Sequence, residues 1–319
     1  KNLKVNLKIN FKINKMLNFL KKKYDEKNGL ICFDINDLKT KSVTEFYKST
    51  PFPNYKDDDN SQSIIVRGNK NLLAYQFKKF IGMNKAVLEI GCGTGQLSNY
   101  FAINTNNKIV ALDPTVESLN LAKNFSNKNK ISNINFINAD IFDDVLVDNF
   151  FDFIWCNGVL HHTKDPQKAF EITSKSLKKN GYILLGLYNK IGRVRTIIRK
   201  YLSKIFGLKY LEFFDPTLKN LKLSQNEKKA WINDQYFHPI ESLHTLDEVL
   251  KWFRQNDIEY INSIPSCDFE HMPNYYELFK KKPKGDLYSR LFNQFCMIFN
   301  KLGSDGGLFV VIGKKNEHN

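Results

Sequence analysis

The sequence lacks several features that would assign it to a common class of protein. None of its apolar runs approaches the length of about eighteen residues that a membrane span requires. Its five cysteines are scattered and include no C-x-x-C pair, which argues against both a zinc ribbon and disulfides. The N-terminus has lysines but no continuous apolar region and no small-residue cleavage site of a secretory signal. We therefore expect a protein of the reducing cytoplasm.

The positive charge of the chain is unevenly distributed. Eight lysines and no acidic residue lie between Lys1 and Lys23, so this segment holds more than half of the net charge of +15. A nucleic-acid groove usually interleaves arginines with aromatic residues along one face, and these lysines do not follow that pattern. The charge alone therefore does not predict a nucleic-acid partner.

The most informative stretch is residues 87–95, which read V-L-E-I-G-C-G-T-G. An apolar run ends at Glu89, and three glycines follow at alternate positions: Gly91, Gly93 and Gly95. A buried strand that runs directly into a glycine-rich turn lets bare backbone approach a nucleotide-like ligand. The dinucleotide fingerprint G-x-G-x-x-G is not met, because Gln96 stands where its third glycine belongs.

Acidic and polar residues follow the next predicted strands. Asp113 comes directly after the apolar run 110–112 and lies eighteen residues beyond Gly95. That spacing places a carboxylate at the tip of the second strand, facing the ribose of a bound ligand. A third strand over 134–137 leads to Asp140, a fourth over 151–155 leads to Asn157, and a fifth covers 182–187.

From Lys85 to Leu187, the order and spacing of these motifs resemble the class I methyltransferases that depend on S-adenosylmethionine (SAM). The resemblance implies an α/β, Rossmann-like fold with a seven-stranded sheet flanked by helices. Its strand order would be 3-2-1-4-5-7-6, with the last strand antiparallel. An N-terminal arm and helical cap insertions are expected around this core. The product of the reaction would be S-adenosylhomocysteine (SAH).

The resemblance also implies which residues bind SAM. They follow the first four strands: Glu89, Gly91, Cys92, Gly93, Thr94, Gly95, Gln96, Asp113, Pro114, Asp140, Ile141, Asn157 and Gly158. Asp140 would accept a hydrogen bond from the adenine amino group, and the amide of Ile141 would serve a ring nitrogen. Arg67 is a candidate for the methionine carboxylate. Tyr47 would lie near the sulfonium, because aromatic faces attract cations, or would instead pack an N-terminal helix onto the core.

Two short segments contain four of the six histidines and could supply a general base. His161 and His162 follow the fourth strand, and Tyr236 and His238 lie in the segment before Thr245. The alternative for each histidine is a structural role in a loop or cap. His238, Glu241 and His244 have a spacing of three residues, but His238 precedes a proline that breaks a regular helix, so no metal site is predicted.

The chain divides by pattern into four parts. We expect an arm or cap over 1–68, the SAM-binding core over 69–188, a helical cap over 189–244, and the rest of the core over 245–319 with a second insertion at 265–305. Residues 3–13 alternate strictly between apolar and polar, which predicts a strand. Residues 1–15 would be either a loosely attached extension or translated upstream sequence. Thr245 and Glu248 predict a capping box at the start of a helix.

The stretch from Lys190 to Lys209 holds seven basic residues, no acid, and apolar residues at helical spacing. We expect its apolar side to pack over the active site, with contact to a membrane surface as the alternative.

The function predicted from the sequence is methyl transfer to a small molecule under this cap, at a hydroxyl, a thiol or sulfide, or an activated carbon. One alternative is an RNA- or protein-modifying methyltransferase that docks through the basic helix. The others are a lipid or quinone methyltransferase at the membrane surface and a SAM-binding regulator without activity.

Overall fold

The computed structural model describes residues 17–49, 51–219, 224–269, 275–304 and 306–317. The strand predicted over 3–13 lies outside these residues. None of the described helices is both long and apolar enough to cross a membrane.

The described strands form one nine-stranded sheet. In chain order they are β1 Asp25–Lys27, β2 Leu30–Cys32, β3 Ala86–Ile90, β4 Lys108–Asp113, β5 Ile134–Asn138, β6 Phe151–Asn157, β7 Leu177–Tyr188, β8 Ile258–Ile264 and β9 Leu308–Lys315. The strands lie in the order β1-β2-β5-β4-β3-β6-β7-β9-β8, and β9 is antiparallel to both of its neighbours. The seven strands from β3 to β9 therefore have the predicted order.

The N-terminal part of the chain extends this sheet, which the sequence pattern did not predict. Strand β2 pairs in parallel with β5, Ile31 facing Ile137, and β1 pairs antiparallel with β2. Each of these strands has only three residues, too few for an alternation to be recognised. They form because β5 offers an unpaired edge, and the three residues of β2 become buried there.

Helices cover both faces of the sheet. They are α1 Leu38–Ser49, α2 Ser61–Lys70, α3 Leu72–Ile81, α4 Gln96–Ala102, α5 Val116–Lys128, α6 Pro166–Lys175, α7 Val194–Phe206, α8 Lys209–Phe214, α9 Gln225–Tyr236, α10 Leu246–Gln255, α11 Leu287–Cys296 and α12 Lys301–Ser304. The fully buried strand residues Leu88 and Ile154 belong to one apolar core, and Val87 and Ile109 belong to the core on the other face. This two-sided burial gives parallel strands their continuous apolar runs.

Two local predictions concern the helices after β7. The capping box at Thr245 is confirmed, since its hydroxyl accepts from the Glu248 amide at 3.2 Å while the Glu248 carboxylate accepts from the Thr245 amide at 3.1 Å. The basic stretch forms α7, whose apolar side was expected to pack inward; Ile198, Tyr201 and Ile205 are instead exposed, and Val194, Ile197 and Leu202 are only half-buried. The side chains that α7 buries are Thr196, Arg199 and Ser203. The guanidinium of Arg199 is drawn inward because it donates to Asp215 and to the Tyr236 hydroxyl.

Candidate active site

The glycine-rich turn between β3 and α4 is held in a conformation that suits glycine. Gly91, Gly93 and Gly95 have φ values of +66°, +52° and +68°, in the left-handed region. A Cβ atom on Gly93 would lie 2.5 Å from the carbonyl oxygen of Phe52. The segment after Phe52 is bound to the same turn, since the side-chain Nε2 of Gln96 donates to the Asn54 carbonyl oxygen at 2.9 Å. The N-terminal part of the chain therefore closes directly over the turn.

Three carboxyl groups stand at the ends of neighbouring strands, at one edge of the sheet. Glu89 on β3 is fully buried, and its burial raises the pKa to about 8, so the group holds its proton at neutral pH. It accepts a hydrogen bond from the Ser98 hydroxyl. Asp113 at the end of β4 accepts from the amides of Gly93 and Thr115, both at 2.8 Å. Burial raises the pKa of Asp113, and those two amides oppose the shift.

The third carboxyl group, Asp140 after β5, links this edge to the N-terminal helix. It accepts from the amide of Phe142 at 3.0 Å and from the hydroxyl of Thr40 on α1 at 2.6 Å. Nearby, Lys164 and Asp37 form an ion pair at 2.6 Å. These contacts hold α1 against the ends of the strands.

A cavity of about 440 Å³ lies between the strand ends, α1 and the cap. Thirteen of the predicted site residues line it: Tyr47, Glu89, Gly91, Cys92, Gly93, Gln96, Asp113, Pro114, Asp140, Ile141, Asn157, Gly158 and His162. The remaining predicted residues, Arg67, Thr94, Gly95, His161, Tyr236 and His238, do not line it. Its volume falls in the usual range for small-molecule sites, about 300–1,000 Å³.

The positions of Arg67 and Tyr236 differ from what their predicted roles require. The guanidinium of Arg67 donates to Asp59 and to the Gln96 side chain, both at 2.7 Å, so it stands behind Gln96 rather than at the cavity. The hydroxyl of Tyr236 donates to Asp215 at 2.6 Å, inside the cap. Polar partners within the protein therefore hold both side chains away from the cavity.

His162 and His238 form a stacked pair under the cap, with ring centroids 3.6 Å apart. The Nδ1 atoms lie 2.7 Å and 2.6 Å from the Ile240 carbonyl oxygen, respectively. Since a carbonyl oxygen only accepts, His162 donates from Nδ1 and leaves Nε2 as an unprotonated acceptor on the ring that lines the cavity. Burial lowers the pKa of His162 to about 4 and that of His238 to about 3. Both rings are therefore neutral at pH 7.

His161 lies one layer behind this pair and is completely buried. Its Nδ1 accepts from the backbone amide of Tyr188 at 3.2 Å, and its ring stacks on the Tyr188 ring at 3.9 Å. Burial lowers the pKa of His161 well below its usual value. In this position the His161 ring supports the Tyr188 ring, and Tyr188 lines the cavity.

The cap contributes cavity residues that sequence reasoning missed: Trp231, Asp234, Gln235 and Ile240. The carboxylate of Asp234 accepts from the Tyr47 hydroxyl at 2.6 Å and from the side-chain Nε2 of Gln235 at 3.0 Å. Gln235 also donates to the Tyr188 hydroxyl at 2.8 Å. Trp231, Asp234 and Gln235 are spaced i, i+3, i+4 on α9, the one signal that could have indicated a shared face.

Arg193 fastens this cap to the core and is almost completely buried, with 1% exposure. It pairs with Glu241 through two bonds of 2.9 and 2.7 Å and donates to the backbone oxygens of Gln235 and Gly306. Its guanidinium lies 3.4 Å from the centre of the Tyr188 ring. One side chain thus joins the entry to α7, the end of α9 and the chain before β9.

A family model of methyltransferase domains matches residues 81–259, more than half of the chain. The chain belongs to the class I SAM-dependent methyltransferases. The match covers β3 to β7, the cap and the start of β8, and so includes most of the cavity.

Individual relatives of this methyltransferase are distant. An uncharacterized protein of Synechococcus sp. is 25% identical over 253 residues, which cover 70% of this chain and 60% of that protein. A ubiquinone biosynthesis O-methyltransferase of Actinobacillus pleuropneumoniae is 26% identical, covering 67% of this chain and 89% of that enzyme. The solved structure of PKMT2 from Rickettsia typhi has a TM-score of 0.55 at 16% identity, with 78% of this chain and 53% of that one covered. This last likeness shows the fold alone.

The histidines and acids of the cap do not converge on one point in this methyltransferase. His238 stacks on His162, Glu241 pairs with Arg193, and His244 lies 3.1 Å from Glu248. Among the described residues, no group of three His, Cys, Asp or Glu side chains is placed to hold a metal ion. Cys92 lines the cavity, but burial raises the pKa of its thiol well above the usual value, which leaves it a poor nucleophile at neutral pH.

Proposed function

We propose that this methyltransferase transfers the methyl group of SAM to a small-molecule acceptor bound between the strand ends and the cap. The observation that carries the proposal is the composition of the cavity wall. Tyr47 of α1, Trp231 and Asp234 of α9, and the strand-end residues Gly93 and Asp113 all line one cavity of about 440 Å³. A roofed cavity suits a small acceptor better than the open groove that a folded macromolecule needs.

The residues at the strand ends fit the cofactor. The turn at Gly91 and Gly93 has no room for a Cβ atom, so both residues present only backbone to the cavity that they line. Asn157 lines the same cavity, and its buried Oδ1 has no hydrogen-bond partner within the described part of the chain. We assign the ribose to Asp113, the adenine to Asp140 and Ile141, and the methionine part to the glycine-rich turn. Bound SAM supplies an electrophilic methyl group on a sulfonium.

The residues on the cap side would bind and activate the acceptor. Neutral His162 accepts a proton at Nε2 from an acceptor hydroxyl, while its Nδ1 stays bonded to the Ile240 carbonyl oxygen. Tyr47 and Tyr188 add aromatic surface around the reacting centre, and the Tyr47 ring is held by its bond to Asp234. A thiol acceptor would need less help, because thiolates form readily near neutral pH.

The RNA- or protein-modifying alternative has less support. It requires that α7 present a basic face for docking, yet the arginine at the centre of this helix, Arg199, is turned inward to Asp215 at 3.3 Å. The surface that α7 does present carries several apolar side chains, among them Tyr201 and Ile205. A tRNA U34 carboxymethyltransferase of Campylobacter fetus is nevertheless among the relatives, at 27% identity over 51% of this chain, so RNA belongs in the acceptor screen.

The cofactor assignment is tested with Asp113→Ala, measured by calorimetric titration of SAM and SAH. We expect a loss of affinity of about 10–100-fold, since charge-assisted bonds to ribose hydroxyls contribute about 1.5–3 kcal/mol each. The control is Asp148→Ala, which removes a carboxylate that is 52% exposed, and it should leave affinity unchanged. Unchanged affinity in Asp113→Ala would show that this carboxylate does not bind the ribose.

The acceptor class is tested by incubating the full chain with SAM and a panel of phenols, small thiols, carbon acids, tRNA and denatured protein. Formation of SAH and a mass gain of one methyl group identify the acceptor. We expect turnover only among the small molecules. Methylation confined to tRNA or protein would overturn the proposal, and tight SAH binding without turnover of any acceptor would favour a regulator.

A further inference from the structure

Helix α7 exposes a stripe of its apolar residues to solvent: Ile198, Tyr201 and Ile205 are exposed, whereas Val194, Ile197 and Leu202 are half-buried. It buries Thr196, Arg199 and Ser203, whereas Tyr201 and Ile205 are 62% and 72% exposed. The polar side is drawn inward because Arg199 donates to Asp215 at 3.3 Å and to the Tyr236 hydroxyl at 3.1 Å. A surface helix normally buries its apolar stripe, so this reversed orientation calls for something that covers the stripe.

The exposed apolar surface continues past the end of α7. Phe206, Leu208 and Phe213 are 67%, 53% and 68% exposed, and the rings of Phe206, Tyr210 and Phe214 stack in succession with centroids 5.9 and 4.4 Å apart. We call the exposed apolar residues of α7 and α8, together with Leu208 between them, the outer cap face: Ile198, Tyr201, Ile205, Phe206, Leu208, Phe213 and Phe214.

Helix α11 of the second insertion repeats the reversal. Its buried side chains are Ser289 and Gln294, and Gln294 accepts from the Asn189 side chain at 2.8 Å. Tyr288 and Phe292, by contrast, are 78% and 53% exposed. The chain after α11 meets α7 where Arg195 donates to the Ile298 carbonyl oxygen at 3.4 Å. Two separate insertions, joined at this contact, thus both present apolar side chains to solvent.

The exposed charges of residues 190–219, which include the outer cap face, are mostly positive. Four lysines between β7 and the end of the described cap segment are exposed: Lys190, Lys204, Lys209 and Lys219. Glu212 is the one exposed carboxylate among the described residues 190–219. Long lysine side chains beside an apolar surface lay their methylene stems along it and hold the ammonium group at the polar boundary.

We propose that the outer cap face docks on an anionic lipid bilayer surface, with the apolar side chains in the outer hydrocarbon and the lysines among the headgroups. A second copy of the chain fits less well, because self-association would bring the four lysines of each copy together against one carboxylate each. Nucleic acid could stack on the rings and pair with the lysines, but it would leave the aliphatic side chains of Ile198, Ile205 and Leu208, which are 51%, 72% and 53% exposed, without an apolar partner. An anionic bilayer offers hydrocarbon to the apolar side chains and negatively charged headgroups to the lysines.

The outer cap face lies close to the cavity. Leu211 of α8 is completely buried in a small apolar cluster with Tyr236 and Leu218, and Trp231 packs against that cluster. Trp231 also lines the cavity and donates to Asp215 at 3.1 Å. A surface-bound enzyme would therefore hold its cavity roof one layer of side chains away from the lipid.

The test is co-sedimentation of the full chain with sucrose-loaded vesicles, and it does not depend on any methyl acceptor. We expect at least about tenfold stronger binding to phosphatidylcholine vesicles that contain phosphatidylserine than to pure phosphatidylcholine, and weaker binding as salt rises. Failure of this binding would leave the proposed methyl transfer intact, since the two have separate readouts.

Two pairs of variants isolate the two components of the face. Phe206→Ser/Phe213→Ser should reduce vesicle binding at least about tenfold. Its control, Leu38→Ser/Met83→Ser, changes residues that are 80% and 54% exposed elsewhere and should have no effect. Lys204→Glu/Lys209→Glu should also reduce binding at least about tenfold, whereas Lys79→Glu/Lys128→Glu, with the same charge change at two other exposed lysines, should alter it much less. Circular dichroism and thermal unfolding establish that each variant is folded.

Three results would overturn the proposal. The first is no binding to phosphatidylserine vesicles, or equal binding to both vesicle types. The second is a concentration-dependent dimer in sedimentation velocity that Phe206→Ser/Phe213→Ser converts to monomer while vesicles bind neither form. The third is salt-sensitive binding of RNA that Lys204→Glu/Lys209→Glu abolishes, again without vesicle binding.

Discussion

The two halves of the cavity are built on different principles. The strand-end half comes from short continuous stretches, in which Glu89 and the three glycines lie within seven positions of one another. The cap half joins Tyr47 to Asp234, which are 187 positions apart. The first half can therefore be recognised in the sequence as a motif, because residues close together in the chain set its geometry. The second half depends on how α1, α7 and α9 pack.

The largest expected effect tests whether the cap half depends on one buried cation. Arg193→Met should lower the free energy of unfolding by about 3–5 kcal/mol, because Glu241 and two backbone oxygens lose their partner in a buried site. Urea denaturation measures the change. Arg254→Met, at an exposed position on α10, is the matched control and should cost less than about 1 kcal/mol. A similar small loss for Arg193→Met would mean that the cap is held by its apolar contacts instead.

The next effect tests how tightly the strand-end half is packed. Gly93→Ala should cost about 2–4 kcal/mol, since it adds left-handed strain and a contact of 2.5 Å with the Phe52 carbonyl oxygen. SAM affinity should fall with it, as measured by calorimetry. Gly82→Ala tests backbone strain without a close contact, because Gly82 has φ of +67° and ψ of −134° but no heavy atom within 4 Å of an added Cβ. A loss below about 1 kcal/mol in Gly93→Ala would show that the Phe52 carbonyl oxygen moves aside at little cost.

A smaller effect concerns the acceptor side. His162→Gln should reduce kcat for a hydroxyl acceptor by about 100-fold, the low end for a general base, because a pKa of about 4 makes His162 a weak one. The affinity for SAH should change less than about twofold, which separates the acceptor side from the strand-end half. His244→Gln, away from the cavity lining, is the control. Full activity in His162→Gln would remove this ring from the chemistry.

The smallest effect contrasts the two halves by pH. Burial lowers the pKa of His162 from 6.5 to about 4. Between these values the unfolded chain binds a proton that the folded protein does not bind, so stability is lost as pH falls below about 6.5. Burial raises the pKa of Glu89 from 4.5 to about 8, so stability is lost as pH rises above about 4.5.

Urea denaturation of His162→Gln and Glu89→Gln at pH 5 and pH 7 tests this contrast. We compare the free energy of unfolding of each variant with that of the unsubstituted protein at the same pH. For His162→Gln this difference should favour the variant by about 1–2 kcal/mol more at pH 5 than at pH 7, and for Glu89→Gln it should favour the variant more at pH 7. Parallel shifts in the two variants would contradict the opposite burial effects.

Sequence patterns, together with the resemblance to the family, predicted the strand-end half well. The seven strands from β3 to β9 have the predicted order, and Glu89, Asp113 and Asp140 lie together at one edge of the sheet and line one cavity. Their assignment to parts of SAM stays a prediction until ligand binding is measured. The pairing of β2 with β5 was missed, because a strand of three residues is stabilised by the edge it joins rather than by its own pattern.

The cap was predicted only as an inserted helical segment. Its helical spacing was recognised, but the choice of cavity residues was not, since Tyr236 turns toward Asp215 while Trp231 and Asp234 face the cavity. Helical periodicity identifies sets of residues on one face without saying which face is inward. Arg67 shows the same limit of sequence patterns, because its guanidinium is hydrogen-bonded to Asp59 and Gln96 rather than placed at the cavity.

By itself, the sequence determined the glycine-rich turn and the acidic residues that follow successive strands, because local spacing sets both. The strand order was implied by the resemblance to the family. The tertiary structure alone decided which side of α7 is buried. Periodicity favoured apolar burial, but Arg199 found Asp215 and Tyr236 inside the cap, and a buried charge must have its partners. That choice turned Tyr201 and Ile205 outward and created the outer cap face.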